Sequence, residues 1–364
     1  MKIFIYCLLT LVIIEALLAV YRTLRKISAE KQTLDCVKMV TVLNGDPKIF
    51  VLCPDHDRPS GGVKQLYRHV DILNQNGFSA SVLHKQKGFR CSWFDNETRI
   101  SYAKGTILSR SDYLVIDETR GPEIQVMAKG IKKVIFNQAA YYTFKGYSFN
   151  KDDLLTPYLS KDIVATMLVS EDNEGYLNYV FPKMRSYRIF NGIDPSVFNY
   201  NGAKKKQITW MLKKNRADAL QVINILKFRG KLSEYDIVPI DNMSELETAK
   251  ALKESMIYLN FGFQEGASLS AAEAMACGCV VIGYHGMGAK EYFKPEFCYP
   301  VPHGDIISFA KTVEEVIDLC KKDPVSIKEK AKKAADYIKE HYSLERERES
   351  VISAWKDIIK NTTA

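Results

Sequence analysis

Phe261-Gly-Phe-Gln-Glu265-Gly-Ala-Ser-Leu-Ser-Ala-Ala-Glu273-Ala-Met-Ala-Cys-Gly278-Cys-Val-Val-Ile-Gly283 reads as the end of a strand, a loop, a helix and a second strand. Met256 to Phe261 is a short apolar run that ends in a glycine-bearing loop. Ser268 to Cys277 has helical composition with Gly278 as its stop signal, and Cys279 to Ile282 has the unbroken apolar character of a buried strand. A helix N-terminus therefore opens just after Glu265. Such an end presents unpaired N–H groups and a partial positive charge, which favours a phosphate. Gly266, Ala267 and Ser268 are small enough to let it come close. Glu265 before the helix and Glu273 about one and a half turns inside it can accept hydrogen bonds from hydroxyls on either side of the phosphates.

Outward from this stretch the chain alternates strands and helices. Lys48 to Cys53 is a buried-strand run, followed by a loop, Gly61-Gly62, and Val63, Leu66, Tyr67, Val70 and Leu73 at helical spacing. Ser79 to His84, Tyr113 to Asp117, Lys133 to Asn137 and Ser186 to Phe190 are further strands. After Asp194 the alternation restarts with strands at Gln207 to Leu212, Ile237 to Ile240, Met256 to Phe261 and Val280 to Gly283, and helices at Arg216 to Phe228, Ser244 to Glu254 and Ser268 to Cys277. The pattern predicts an α/β protein with two parallel-sheet units, an N-terminal domain over 47–194 and a C-terminal domain over 195–343, with a last helix in 344–364. The site belongs in the cleft between the sheets, at the carboxyl ends of the strands.

Glu265-x7-Glu273 with the Ala-Met-Ala-Cys-Gly-Cys-Val-Val-Ile that follows resembles the signature of retaining GT-B glycosyltransferases, the group one type that uses sugar nucleotides. Phe190-Asn-Gly-Ile-Asp194 with Phe198 resembles that family's entry into its second domain, and Gly61-Gly62 its first glycine loop, so the likeness runs over roughly residues 48 to 343. The resemblance implies two doubly wound Rossmann-like domains and a final helix that returns to the first. It implies Glu273 as the ribose ligand, Glu265 on the hydroxyls of the transferred sugar, and the backbone of Ala267 to Leu269 as the diphosphate cradle. Lys213, then Lys214 and Arg216, stand where the family has its phosphate cations, and Gly61 and Gly62 let the first domain approach the reacting sugar. The implied catalytic set is Glu265, Lys213 and Gln138. Many members carry a histidine where this chain has Asn137 and Gln138, Ser268 replaces a usual glycine, and Lys213 takes the place of an arginine without its bidentate geometry. Gly286-Met-Gly-Ala-Lys-Glu291 more weakly resembles the family's Gly-Gly-x-x-Glu loop.

The chemistry so implied is glycosyl transfer from a nucleoside-diphosphate sugar to a glycan or lipid-linked acceptor with retention, in cell-surface polysaccharide synthesis, with no cofactor and no divalent metal. A catalytically degenerate scaffold or a sugar-nucleotide epimerase is the alternative. Length and composition agree: 364 residues, 46% hydrophobic, can bury two ordinary cores. The net charge of +8 comes without zinc, RNA-recognition or helix-turn-helix spacing, so no nucleic-acid partner is expected. Eight cysteines without a C-x-x-C pair predict buried thiols in a reducing compartment. Ile3 to Tyr21 is apolar save Thr10 and Glu15 and is followed by Arg22, Arg25, Lys26 and Lys31. This predicts a transmembrane anchor over 1–22, a juxtamembrane linker over 23–46 and catalytic domains on the cytoplasmic side of the inner membrane.

Overall fold

The computed structural model describes residues 15–18, 20, 38–40, 45–151, 155–200 and 202–363. Its first lobe is a seven-stranded sheet built from β2 (Lys48–Leu52), β3 (Ser79–His84), β4 (Ile100–Tyr102), β6 (Tyr113–Asp117), β7 (Lys132–Asn137), β8 (Ile163–Leu168) and β9 (Ser186–Arg188). Their order is β4-β3-β2-β6-β7-β8-β9, and every pairing is parallel. The strands are apolar because helices or loops cover both faces: Val51, Val82, Val115 and Phe136 face one core, and Leu52, Leu83, Leu114 and Ile135 the other. Helix α1 (Gly61–Gln75) packs on the first of these faces through Val63, Leu66, Tyr67, Val70 and Leu73. Strand β8 is absent from the sequence-based series. Ile163-Val-Ala-Thr-Met-Leu168 alternates too little to distinguish strand from buried helix.

The second lobe repeats the scheme with β10 (Lys205–Met211), β11 (Asp236–Ile240), β12 (Ser255–Asn260), β13 (Val280–Gly283) and β14 (Tyr299–Pro300), ordered β11-β10-β12-β13-β14 and again all parallel. The first lobe also holds α2 (Glu123–Val126), between β6 and β7, and α3 (Glu171–Val180), between β8 and β9, while the second lobe is completed by α4 (Arg216–Phe228), α5 (Glu245–Glu254), α6 (Leu269–Ala276), α7 (Ile306–Lys322) and α8 (Pro324–His341). The sequence-based bounds given for β10 to β13 and for α4 to α6 fall within a few residues of the observed ones. In both sheets the strand order reverses beside the first strand of the unit, between β2 and β6 and between β10 and β12. Crevices form at such switch points.

Helix α9 (Leu344–Thr363) crosses back onto the first lobe. Val351, Ala354, Trp355 and Ile358 complete the core around α1, and the fully buried Trp355 donates its indole N–H to His69 Nε2 at 2.7 Å. The chain thus passes between the lobes twice, near 190–193 and near 342–344. The passages touch: Ile193 N–H donates to the Tyr342 carbonyl at 2.8 Å, and a Cβ on Gly192 would lie 2.8 Å from the Ser343 carbonyl oxygen.

Most of the expected anchor lies outside the described residues. Among those described, no helix is long and apolar enough to cross a membrane. The expected linker includes a strand, β1 (Lys38–Val40), which pairs in parallel with β5 (Ile107–Ser109) and so attaches to the first lobe. Six described cysteines are free thiols, five of them buried, and burial raises their pKa.

Candidate active site

Both switch points open on one cleft of about 870 Å³ between the lobes. From the first lobe it is lined by Ser60, Gly61, Gly62, Lys64 and Arg68 after β2, by Glu118 after β6 and by Gln138 and Tyr142 after β7. From the second it is lined by Lys213 and Lys214 after β10, Glu245 after β11, and Glu265, Gly266, Ala267, Leu269 and Glu273 after β12. The two glutamates of the opening stretch are therefore in the cleft, on either side of the start of α6.

The N-terminus of α6 has no side-chain cap and no acidic residue in its first turn. Ser268 at the N-cap is fully buried, its hydroxyl accepting from Asn260 Nδ2 at 3.3 Å and its carbonyl from the Tyr292 hydroxyl at 2.7 Å. Its side chain serves the core and does not line the cleft, so any part of Ser268 in the expected diphosphate cradle falls to its backbone. The Leu269 N–H turns back onto the Ala267 carbonyl at 3.1 Å, which removes one N–H from the expected cradle. Helix α1 is likewise uncapped, and its start abuts that of α6, since a Cβ on Gly61 would stand 2.9 Å from the Leu269 side chain. Two helix ends without caps meet where the diphosphate is expected.

Glycine at 266 is a packing requirement set by backbone, whereas at 62 the neighbour is the movable end of a side chain. A Cβ at 266 would lie 1.8 Å from the Gln138 carbonyl oxygen, and one at 62 would lie 2.7 Å from the Gln138 amide oxygen. The loops of the two lobes touch here. Gln138 occupies the cleft and its backbone N–H donates to Glu118 at 2.9 Å. Asn137 is buried, with its amide bonded to Thr143, Tyr158 and Asn173, so of the two amides only Gln138 faces the site.

Charges in the cleft are mostly paired. Lys214 bonds Glu265, Lys64 bonds Glu245 across the cleft, and Arg68 bonds Glu347 of α9 and the Gly192 carbonyl. Of the four lysines and arginines lining the cleft, Lys213 alone has no carboxylate partner among the described residues, and its ammonium donates to the Pro59 carbonyl of the first lobe. Arg216 sits on the exposed first turn of α4 and does not line the cleft. The Glu273 carboxyl makes no hydrogen bond with another described residue. Burial pushes its carboxyl up to about 7 against the pull of Lys64, Lys214 and Arg68. Burial, with Asp117 beside it, raises Glu118 to about 8. Outside the cleft, Glu291 of the Gly286 loop ties Arg188 at 2.6 Å, the Tyr342 hydroxyl at 2.7 Å and the Glu171 N–H at 3.1 Å, which is a bracing role.

Lys64, Arg68, Glu118 and Glu245 escaped sequence reading. The helical spacing of α1 places Lys64 and Arg68 on one face, one turn apart, but a lysine one turn into a helix carries no signal by itself.

Two Rossmann-like lobes with a shared cleft and a returning C-terminal helix define a GT-B protein. Residues 212–334 match the family model described as "Glycosyl transferases group 1". That match lies within the second lobe and spans about a third of the chain. A curated relative, an alpha-1,6-glucosyltransferase of Actinobacillus pleuropneumoniae serotype 7, is 24% identical over 265 residues, covering 69% of this chain and 77% of its own length. Among solved structures the fold is similar to sucrose-phosphate synthase of Thermosynechococcus elongatus, with TM-score 0.64, 11% identity and coverage of 86% of this chain and 100% of that one. It is also similar to Anabaena HepE in complex with UDP and glucose (0.58, 11%, 86% and 100%) and to the pneumococcal O-GlcNAc transferase GtfA in complex with UDP and GlcNAc (0.58, 10%, 87% and 99%).

Proposed function

We propose that the protein transfers a hexosyl group from a nucleoside-diphosphate sugar to a glycan or lipid-linked acceptor, with retention at the anomeric carbon and without a divalent metal, in cell-surface polysaccharide synthesis. The observation that carries this reading is the placement of Glu265 and Glu273 in one interlobe cleft on either side of an uncapped helix start, with Lys213 free of any described carboxylate. In the reaction the bond from the anomeric carbon to the diphosphate breaks, the acceptor oxygen bonds that carbon, and the acceptor proton leaves with the diphosphate. The main barrier is the charge left on the diphosphate, and preorganised N–H groups and a fixed ammonium lower it. Glu273, protonated for half its time near pH 7, can both accept from and donate to ribose hydroxyls. Gln138 holds a sugar hydroxyl and moves no proton. Retention rests on the family resemblance.

Relatives solved with UDP make UDP-sugars the first donors to screen. A ligand at one hundred times its dissociation constant stabilises by about 2.7 kcal/mol, which a thermal melt resolves. Glu273→Ala is expected to abolish that shift, and proton NMR of the first-formed product should show the anomeric configuration of the donor. Shift retained in Glu273→Ala would sink the site. Turnover lost on chelation by EDTA would remove metal independence. The apolar segment over residues 3–21 supports tethering to a membrane, and release of the full chain from membranes by alkaline carbonate would count against it.

A further inference from the structure

Lys64 stands at the junction of the two uncapped helices. It lies one turn into α1, whose start abuts that of α6, and Glu273 lies one turn into α6. Glu273 is the strongest of the charges drawing on Lys64, and Lys64 the strongest of those drawing on Glu273. Yet the ion pair of Lys64 goes elsewhere, to Glu245 at the first turn of α5 in the opposite lobe. Both partners keep about 15% of their side-chain surface exposed, so the pair borders the cleft rather than a sealed core. Arg68 differs. It is fixed to Glu347, which is only 3% exposed, and to the Gly192 carbonyl, and so belongs to the crossing between the lobes.

A sugar nucleotide brings a diphosphate with about two negative charges into a cleft where Lys213 alone is uncommitted to a described carboxylate. Lys214 is held by Glu265, whose own task is at the sugar. We propose that Lys64 is a second diphosphate-binding cation, supplied by the first lobe, which Glu245 holds in the empty cleft and yields when the nucleotide enters. The inference rests on the reading of the cleft as a sugar-nucleotide site. Burial lowers the Lys64 ammonium to about 8, so a dianion in van der Waals reach stabilises its charged form more than an exposed lysine's. Glu245 is then a competitor for Lys64, and its removal should help binding.

The test is calorimetric binding of UDP, with GDP and ADP in parallel, to the full chain and to Lys64→Met, Lys64→Arg, Glu245→Gln and the double variant. Removing one charge-assisted hydrogen bond corresponds to about tenfold weaker binding. Lys64→Met should show that weakening, Lys64→Arg should stay within about threefold of the native protein, and Glu245→Gln should bind about threefold or more tighter. In the Lys64→Met background Glu245→Gln should change affinity little, because the competition has no object. If the pair were only a brace between lobes, the two single variants would shift binding in the same direction. If Glu245 acted only through its general field, its gain would persist in the double variant. Either result overturns the proposal. Circular dichroism melts on each variant separate loss of fold from loss of binding. Failure of the native protein to bind any of the three nucleotides would instead refute the sugar-nucleotide reading itself.

Discussion

Gly266 has no side chain because the Gln138 carbonyl oxygen of the other lobe occupies the place of one. Gly266→Ala must force the two loops apart, and overpacking of this kind costs about 1–3 kcal/mol. The strain falls in the cleft, where the proposed function places the donor sugar. We expect the variant to fold and to lose most of its transfer rate, measured as sugar delivered to acceptor, while UDP binding changes less. Unchanged transfer would mean that the touching of the lobes is incidental. Glu265, Gly266 and Glu273 were legible because the local strand-loop-helix pattern fixes their places relative to one another. Lys64 and Glu245 were not, because their meaning lies in a pairing between residues 181 positions apart in sequence. The basic cluster after β10 was read in part. Lys213 and Lys214 line the cleft, whereas Arg216, two residues further and already on α4, follows the helix surface into solvent.

At the scale of elements, most bounds followed from apolar runs ended by Gly or polar caps, and what could not be read was which surface each element meets. Helix α9 illustrates this. Its apolar face, Val351, Ala354, Trp355 and Ile358, is plain in the sequence, but only the structure shows that it closes the core of the lobe made first. Trp355→Ala is expected to destabilise the protein by about 3–5 kcal/mol in urea unfolding, since a large buried ring is lost and His69 loses the indole N–H bonded to it. A loss below about 1 kcal/mol would show that α9 is peripheral. Ser268 shows another limit: its small size at the helix start is legible in the sequence, and only the structure shows its hydroxyl turned into the core, onto Asn260.

For the whole molecule, burial of acids in the cleft sets a pH dependence. Glu118 and Glu273 keep their protons in the folded protein up to about 8 and about 7, whereas an ordinary glutamate titrates near 4.5. Their folded pKa is raised, so the stability they contribute is full below the unfolded value and is lost as pH rises through the folded one. His69 acts in the other direction and lower. Burial depresses it from 6.5 to about 3, so its contribution is lost as pH falls below about 6.5. Between about pH 6.5 and 8 the acids therefore dominate, and the melting temperature of the nucleotide-free protein should fall across that window. Glu118→Gln should flatten the fall. A melting temperature that rose from about pH 6.5 to 8 would contradict the burial of these carboxyls.

The return of α9 has a consequence for how the protein is made. The N-terminal sheet is synthesised first, but the side chains that seal its inner face are among the last twenty residues described, after the entire second lobe. At about 5–20 residues per second, the nascent sheet waits on the order of ten seconds with the seat of Trp355 open to water. The core of the first lobe is thus completed only after the second lobe has been made, whereas the cores of the second lobe include no residue of α9.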